Sequence, residues 1–193
     1  MSFAARLQAA FHAHGQLCVR IDPHEHLLAE WGLDASAAGV REFGLRAVEA
    51  CAGHVGIVKP QVSFFERYGS AGFAALEEVM AAARAADLLV IADAKRGDIG
   101  TTMDAYARAW LTPGSPLEAD ALTVSPYLGV GSLTDTFAFA LEHGKGVFVL
   151  AATSNPEGAA LQRAVPKGAA SIARAVADEV SAWNLATTGE GLG

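Results

Sequence analysis

An α/β fold built on a parallel sheet, and within that class a (β/α)8 barrel, is what the 193-residue sequence predicts, on three observations. Five short apolar segments alternate with helix-patterned stretches, their starts spaced roughly 26 to 38 residues apart, which is repeated βα and hence parallel pairing. Polar side chains stand at the carboxyl end of nearly every apolar segment: Asp22, Lys59, Asp93 with Lys95, Ser125 and Ser154. Barrels assemble sites from that face using many strands, whereas a doubly wound sheet concentrates them at one switch point, often with a glycine-rich phosphate loop. No Gly-x-Gly-x-x-Gly opens the first helix here.

In chain order, residues 4–14 read as a short amphipathic helix ended by Gly15, and residues 17–22 as a strand closing on Asp22 before Pro23. Ser36 is placed to cap a helix running to Ala52. Residues 55–59 form a second strand, which ends in Lys59 because Pro60 cannot donate to a ladder. A turn of helix at residues 64–68 and an alanine-rich helix at 71–86 follow. The third strand is the apolar run from Leu88, which ends in charge as Asp93-Ala-Lys95-Arg-Gly-Asp98. A helix over 101–111 is broken by Pro113 and Pro116, and residues 120–125 give a fourth strand. Ser132 with Asp135 reads as the capped start of a helix to His143. Residues 146–151 give the fifth strand, and 168–185 a last long helix, with the first residues of a sixth strand expected at 191–193. A complete barrel needs about 250 residues. The expectation is therefore a single domain over residues 1–193 carrying about five βα units of the barrel plus a following helix.

Composition narrows the function classes. A net charge of −7 argues against nucleic-acid binding, which wants a basic surface. No apolar run approaches the ~20 residues of a membrane span, and residues 1–14 lack the pattern of a secretory signal. The cytoplasm is the expected location. Cys18 and Cys51 sit in apolar contexts as small core residues. His24 and His26 lie two apart in what reads as a solvated loop, with no third partner for a metal.

The chemistry is expected from Lys59, Asp93, Lys95 and Asp98, which alternate in sign if they converge. In an extended segment Asp93 and Lys95 project to one face. Opposite neighbours would keep the lysines protonated and the acids ionised. Such an array suits a site that stabilises a carbanion and hands it a proton, with a protonated lysine as the acid.

The segment Ala92-Asp-Ala-Lys-Arg-Gly-Asp-Ile-Gly-Thr-Thr102 resembles the central motif of the orotidine 5′-phosphate decarboxylase family, in its longer bacterial subgroup. Residues 17–23, 58–66, 120–129 and 153–156 resemble, in order, its first-, second-, fourth- and fifth-strand segments. The resemblance implies decarboxylation of orotidine 5′-phosphate to UMP, in pyrimidine biosynthesis, without metal or organic cofactor. Lys95 would match the lysine that protonates C6, Asp93 the carboxylate beside the substrate carboxylate, and Lys59 the lysine that contacts ribose and braces the array. Asp98 would match an acid given to the neighbouring subunit's site, which implies a homodimer. Asp22 would match the ribose-binding acid, Thr102 a residue reaching across the dimer to the ribose, and Ser154 the serine that reads the pyrimidine edge. Two departures stand out. Arg20 occupies a first-strand position where the family usually has a small residue, often glycine, and no segment resembles the family's phosphate-binding strands. The alternatives are a non-catalytic dimerising fragment and a metal-dependent sugar-phosphate decarboxylase or aldolase of the same barrel group. Those enzymes typically place a magnesium-binding acid where this chain has Lys59.

Overall fold

In the computed structural model, which describes residues 1–166 and 170–188, the elements follow the expected alternation. They run α1 (Phe3–His14), β1 (Cys18–Ile21), α2 (Glu25–Glu30), α3 (Ala37–Cys51), β2 (Ile57–Pro60), α4 (Ser63–Glu66), α5 (Gly69–Ala85), β3 (Leu89–Arg96), α6 (Gly100–Leu111), β4 (Ala121–Val124), α7 (Thr134–Glu142), β5 (Gly146–Val149), α8 (Ala159–Gln162) and α9 (Ile172–Thr188). The strands form one parallel sheet in the order β1-β2-β3-β4-β5. Sequential order with every pair parallel is what right-handed βαβ connections produce in a barrel wall.

The strand period of two divides the apolar residues between two cores. Val19, Ile21, Val58, Val90, Ala92, Leu122 and Val124 belong to the larger core, under α3, α5, α6 and α7. Ile57, Leu89, Ile91 and Ala121 face the other way, and pack with Cys18 against Phe3, Leu7, Ala10 and Phe11 of α1. Helix α1 therefore closes one end of the sheet's second face, the end where the strands begin. Its approach is close: a Cβ on Gly56 would lie 2.8 Å from the Ala10 methyl, and one on Gly146 would run into the Phe3 ring. Gly15 lets the chain leave the helix at φ 76°.

Beside α1, the same end carries a charge cluster. Arg6 Nη2 donates to Asp120 Oδ1 at 2.5 Å, and the Val90 N–H donates to Asp120 Oδ2 at 2.8 Å. Lys145 Nζ donates to Glu118 Oε1 at 2.6 Å and lies 3.8 Å from Asp120 Oδ1. The Glu118 side chain also accepts from the Gly114 N–H, and its backbone carbonyl from Arg84. Burial would push the Glu118 carboxyl up, but the Lys145 and Gly114 hydrogen bonds and the nearby cations hold it below its ordinary value.

Several expectations need correcting. The Ser132–Asp135 cap does not form: a 3₁₀ turn over Val130–Leu133 comes first, Ser132 Oγ donates back to the Gly129 carbonyl, and α7 starts at Thr134 without a side-chain cap. Ser36 does cap α3, its Oγ accepting from the Gly39 N–H. His24 and His26 are not in a loop but at the start of α2, with the His24 ring 4.4 Å from that of Phe64 and 5.3 Å from that of His26. The expected start of the last helix at Gly168, and the expected strand at 191–193, lie outside the described residues. Among the described residues no helix is long and apolar enough to cross a membrane.

Candidate functional site

On the second face, beyond the reach of α1, the apolar layer gives way to charge. Lys59, at the penultimate position of β2, stands in register with Arg20 of β1. Beyond them Gln61 bridges to Asp93. Lys59 Nζ donates to Asp93 Oδ2, and Lys95 Nζ to Asp93 Oδ1 at 2.5 Å and to Gln61 Oε1 at 3.3 Å. One carboxylate, 5% exposed, thus holds two ammonium groups. Burial alone would raise the Asp93 pKa. The hydrogen bonds and positive charge of Lys59 and Lys95 outweigh it, and the carboxyl is held below its ordinary value.

Asp93 and Lys95 meet as expected, but not because β3 stays extended. Its register against β4 shifts between Ala92 and Arg96, and Lys95 adopts φ 50°. A left-handed conformation costs a non-glycine residue about 1–2 kcal/mol, and persists only where the surroundings hold it. Here the holder is Thr123 of β4. Its Oγ1 accepts from the Lys95 backbone N–H at 2.9 Å and lies 3.2 Å from Asp93 Oδ1. Sequence reasoning passed over both Thr123 and Gln61. Their roles depend on which strands are neighbours, and their identities as a strand threonine and a turn glutamine give no signal.

Asp22 closes the β1 side. It is 8% exposed, with Oδ2 paired to Arg20 and Oδ1 left without a partner among the described residues. That buried acceptor is suited to a donor from a ligand. Arg20 is accommodated by this pairing, with its side chain largely exposed. The expected fourth charge does not join the array: Asp98 lies in the loop after β3, where its Oδ1 accepts from the Ile99 N–H at 2.8 Å. Thr102, in the first turn of α6, and Ser154, in the loop after β5, are exposed and not hydrogen-bonded to the array. A cleft of about 380 Å³ opens between the ends of β4 and β5 and α9, lined by Ser125, Tyr127, Leu150, Thr153 and Val176 among others but not by Ser154. A larger cavity, about 520 Å³, lies at the α1 end and is lined by Arg6, Glu118, Asp120 and Lys145. It belongs to the cluster there and is remote from Asp93.

Chemically, the arrangement offers two cationic donors fixed on one ionised carboxylate at an open face. It can receive an anion, stabilise charge that develops next to the ammonium groups, and supply a proton.

Comparison with known proteins gives a consistent answer. The model of the orotidine 5′-phosphate decarboxylase / HUMPS family matches residues 15–187. The orotidine 5′-phosphate decarboxylase of Corynebacterium efficiens is 55% identical over 183 residues, covering 95% of this chain and 65% of the relative. That of Corynebacterium glutamicum is 52% identical over 191 residues, covering 99% and 69%. Among solved structures, a Streptomyces avermitilis protein assigned as an orotidine 5′-phosphate decarboxylase superposes with a TM-score of 0.94 at 52% identity, over 98% of this chain and 67% of its own. The Leishmania donovani OMP decarboxylase gives 0.80 at 36% identity, over 96% and 67%. The chain spans about two thirds of the length of these relatives. The sheet and its helices are five βα units of a (β/α)8 barrel, with α9 following.

Proposed function

The chain belongs to the orotidine 5′-phosphate decarboxylase / HUMPS family, and from that premise we propose that it decarboxylates orotidine 5′-phosphate to UMP, as a step of pyrimidine biosynthesis. The carrying observation is the Lys59–Asp93–Lys95 array at the carboxyl ends of β2 and β3. The C6–carboxylate bond breaks, carbon dioxide leaves, and the electron pair stays on C6. The Lys95 ammonium donates its proton to C6, giving UMP, and the amine is reprotonated from water. Fixed positive charge facing the developing carbanion supplies the stabilisation. Asp93 orients both ammonium groups and lies beside the substrate carboxylate. Lys59 braces Asp93 and reaches the ribose, Asp22 accepts from a ribose hydroxyl through its unpartnered oxygen, and Ser154 reads the pyrimidine edge. No cofactor takes part. Lys59 at the end of β2, where the metal-dependent sugar-phosphate enzymes of this barrel group typically carry an acid, supports this reading over theirs. Of the other alternative, a dimerising fragment without activity, nothing in the array or the comparisons speaks in favour.

A homodimer completes the proposal, with Asp98 and Thr102 serving the partner's site. Asp98 stands apart from its own chain's lysines, and the loops at this end expose Ile99, Tyr127 and Leu128. A cytoplasmic location goes with this reading.

The test is UMP formation from orotidine 5′-phosphate by the purified chain. Wild type turns over, and Lys95→Ala loses about 10²–10⁴-fold or more, the contribution of a positioned acid. Absence of wild-type turnover, or full turnover by Lys95→Ala, overturns the reading. Mixing inactive Lys95→Ala with inactive Asp98→Asn tests the shared site: heterodimers regain one intact site, and a mixture that stays inactive removes Asp98 from the partner's site.

A further inference from the structure

We propose that Thr123 is a positioning residue for the array, its one hydroxyl setting both the backbone of Lys95 and the carboxylate of Asp93. Where β3 slips register against β4, the Lys95 N–H leaves the backbone ladder, and Thr123 Oγ1 accepts it at 2.9 Å. The hydroxyl's single proton has two oxygens in range, the Ala92 carbonyl at 3.4 Å and Asp93 Oδ1 at 3.2 Å. The nearer and charged acceptor takes it. Thr123 is 8% exposed, so water does not readily replace either bond.

The geometry has a consequence for chemistry. Asp93 Oδ1 is also the oxygen that holds Lys95 Nζ. Thr123 therefore grips Lys95 at both ends: directly at its amide, and through Asp93 at its ammonium. The left-handed turn at Lys95 gives way to ordinary extended backbone unless something rewards it, and a relaxed turn swings the side chain off the face it now occupies. Misplacement of a reacting group by about 1 Å can cost about 10²-fold in rate.

The inference rests on the decarboxylase reading for its kinetic arm, and the experiment separates the two. Thr123→Val keeps the shape and deletes the hydroxyl, while Thr123→Ser keeps the hydroxyl. In the full chain, Thr123→Val is expected to lower kcat by about 10²-fold with KM nearly unchanged, and to speed hydrogen exchange at the Lys95 amide by about tenfold. Thr123→Ser restores both. A merely structural role would lower the amount of folded protein and leave kcat per folded molecule intact. Should valine unseat the strand, Thr123→Ala carries the same comparison. Unchanged kcat and unchanged exchange in a folded hydroxyl-free variant overturn the proposal. If wild type itself makes no UMP, the functional reading falls, and exchange at Lys95 alone decides whether Thr123 holds that backbone.

Discussion

Both ends of the sheet gather charge around a buried aspartate, and they do so on opposite terms. At the α1 end Asp120 is held by Arg6, the Val90 N–H and, more distantly, Lys145, whose side chain is 5% exposed. At the other end Asp93 is held by Lys59, 23% exposed, and Lys95, 45% exposed. The first cluster draws its donors from α1, from the Lys145 side chain and from the backbone of β3. None of these residues is in the left-handed region, which among the described non-glycine residues at this end is taken only by Asp87, at φ 58° in the turn after α5. The second is uncovered among the described residues and keeps a lysine in a left-handed turn. Ion pairing by itself thus marks neither frame nor site. What separates them is closure and strain: a cluster that is covered and bonded to backbone fastens the barrel wall, while one that is open and strained is available to a ligand. This division matches the barrel rule that the strands' amino end carries stability and their carboxyl end carries function.

The sharpest way to break that contrast is to delete one ammonium at each end. Lys145→Met keeps the stem, removes the buried member of the pair, and leaves the half-buried Glu118 with only the Gly114 N–H and the charge of Arg84. It should cost about 3 kcal/mol of stability, the scale for breaking a buried pair. Lys59→Met should cost only about 1 kcal/mol, because Lys95 stays on Asp93 and water reaches the face, while turnover falls steeply. Chemical denaturation of both variants measures the difference. Equal losses would mean that the two clusters are energetically alike and that the frame-and-site division is wrong.

How far this contrast was legible in the sequence depends on which residue is asked about. The apolar runs ending at Asp22, Lys59, Asp93 and Ser125 displayed both the parallel sheet and the face on which polar groups would collect, because strand period and chain order are local properties. The meeting of Lys59 with Asp93 followed from placing both at strand ends. The opposite cluster was invisible: Asp120 read as the first residue of a strand, Lys145 fell unremarked between a helix and a strand, and only the neighbouring of β3, β4 and β5 brings them beside Arg6. Thr123 was hidden for the same reason. The cap read into Ser132 and Asp135 failed because Gly129, at φ 92°, opens a 3₁₀ turn that occupies Ser132 before the helix begins. Asp98 remained apart from the array because its loop carries it beyond the strand's alternation.

The smallest effect tests the strain itself. At most strand positions glycine is less stable than alanine by about 0.5–1 kcal/mol, since it loses more chain entropy on folding. At Lys95 the order should invert. Both Lys95→Gly and Lys95→Ala remove the ammonium from Asp93, so the lost ion pair cancels between them. What remains is backbone: alanine keeps the cost of a Cβ at φ 50°, about 1–2 kcal/mol, and glycine does not. Lys95→Gly should therefore be the more stable of two inactive variants by about 0.5–1 kcal/mol, read as a higher denaturant midpoint at equal slope. The same pair at Arg96, one residue on and outside the left-handed region, should show the ordinary order. If alanine is the better residue at both positions, Lys95 is not strained. The carboxyl end would then differ from the α1 end in exposure alone, and the Thr123 hydroxyl would have no unfavourable turn to hold in place.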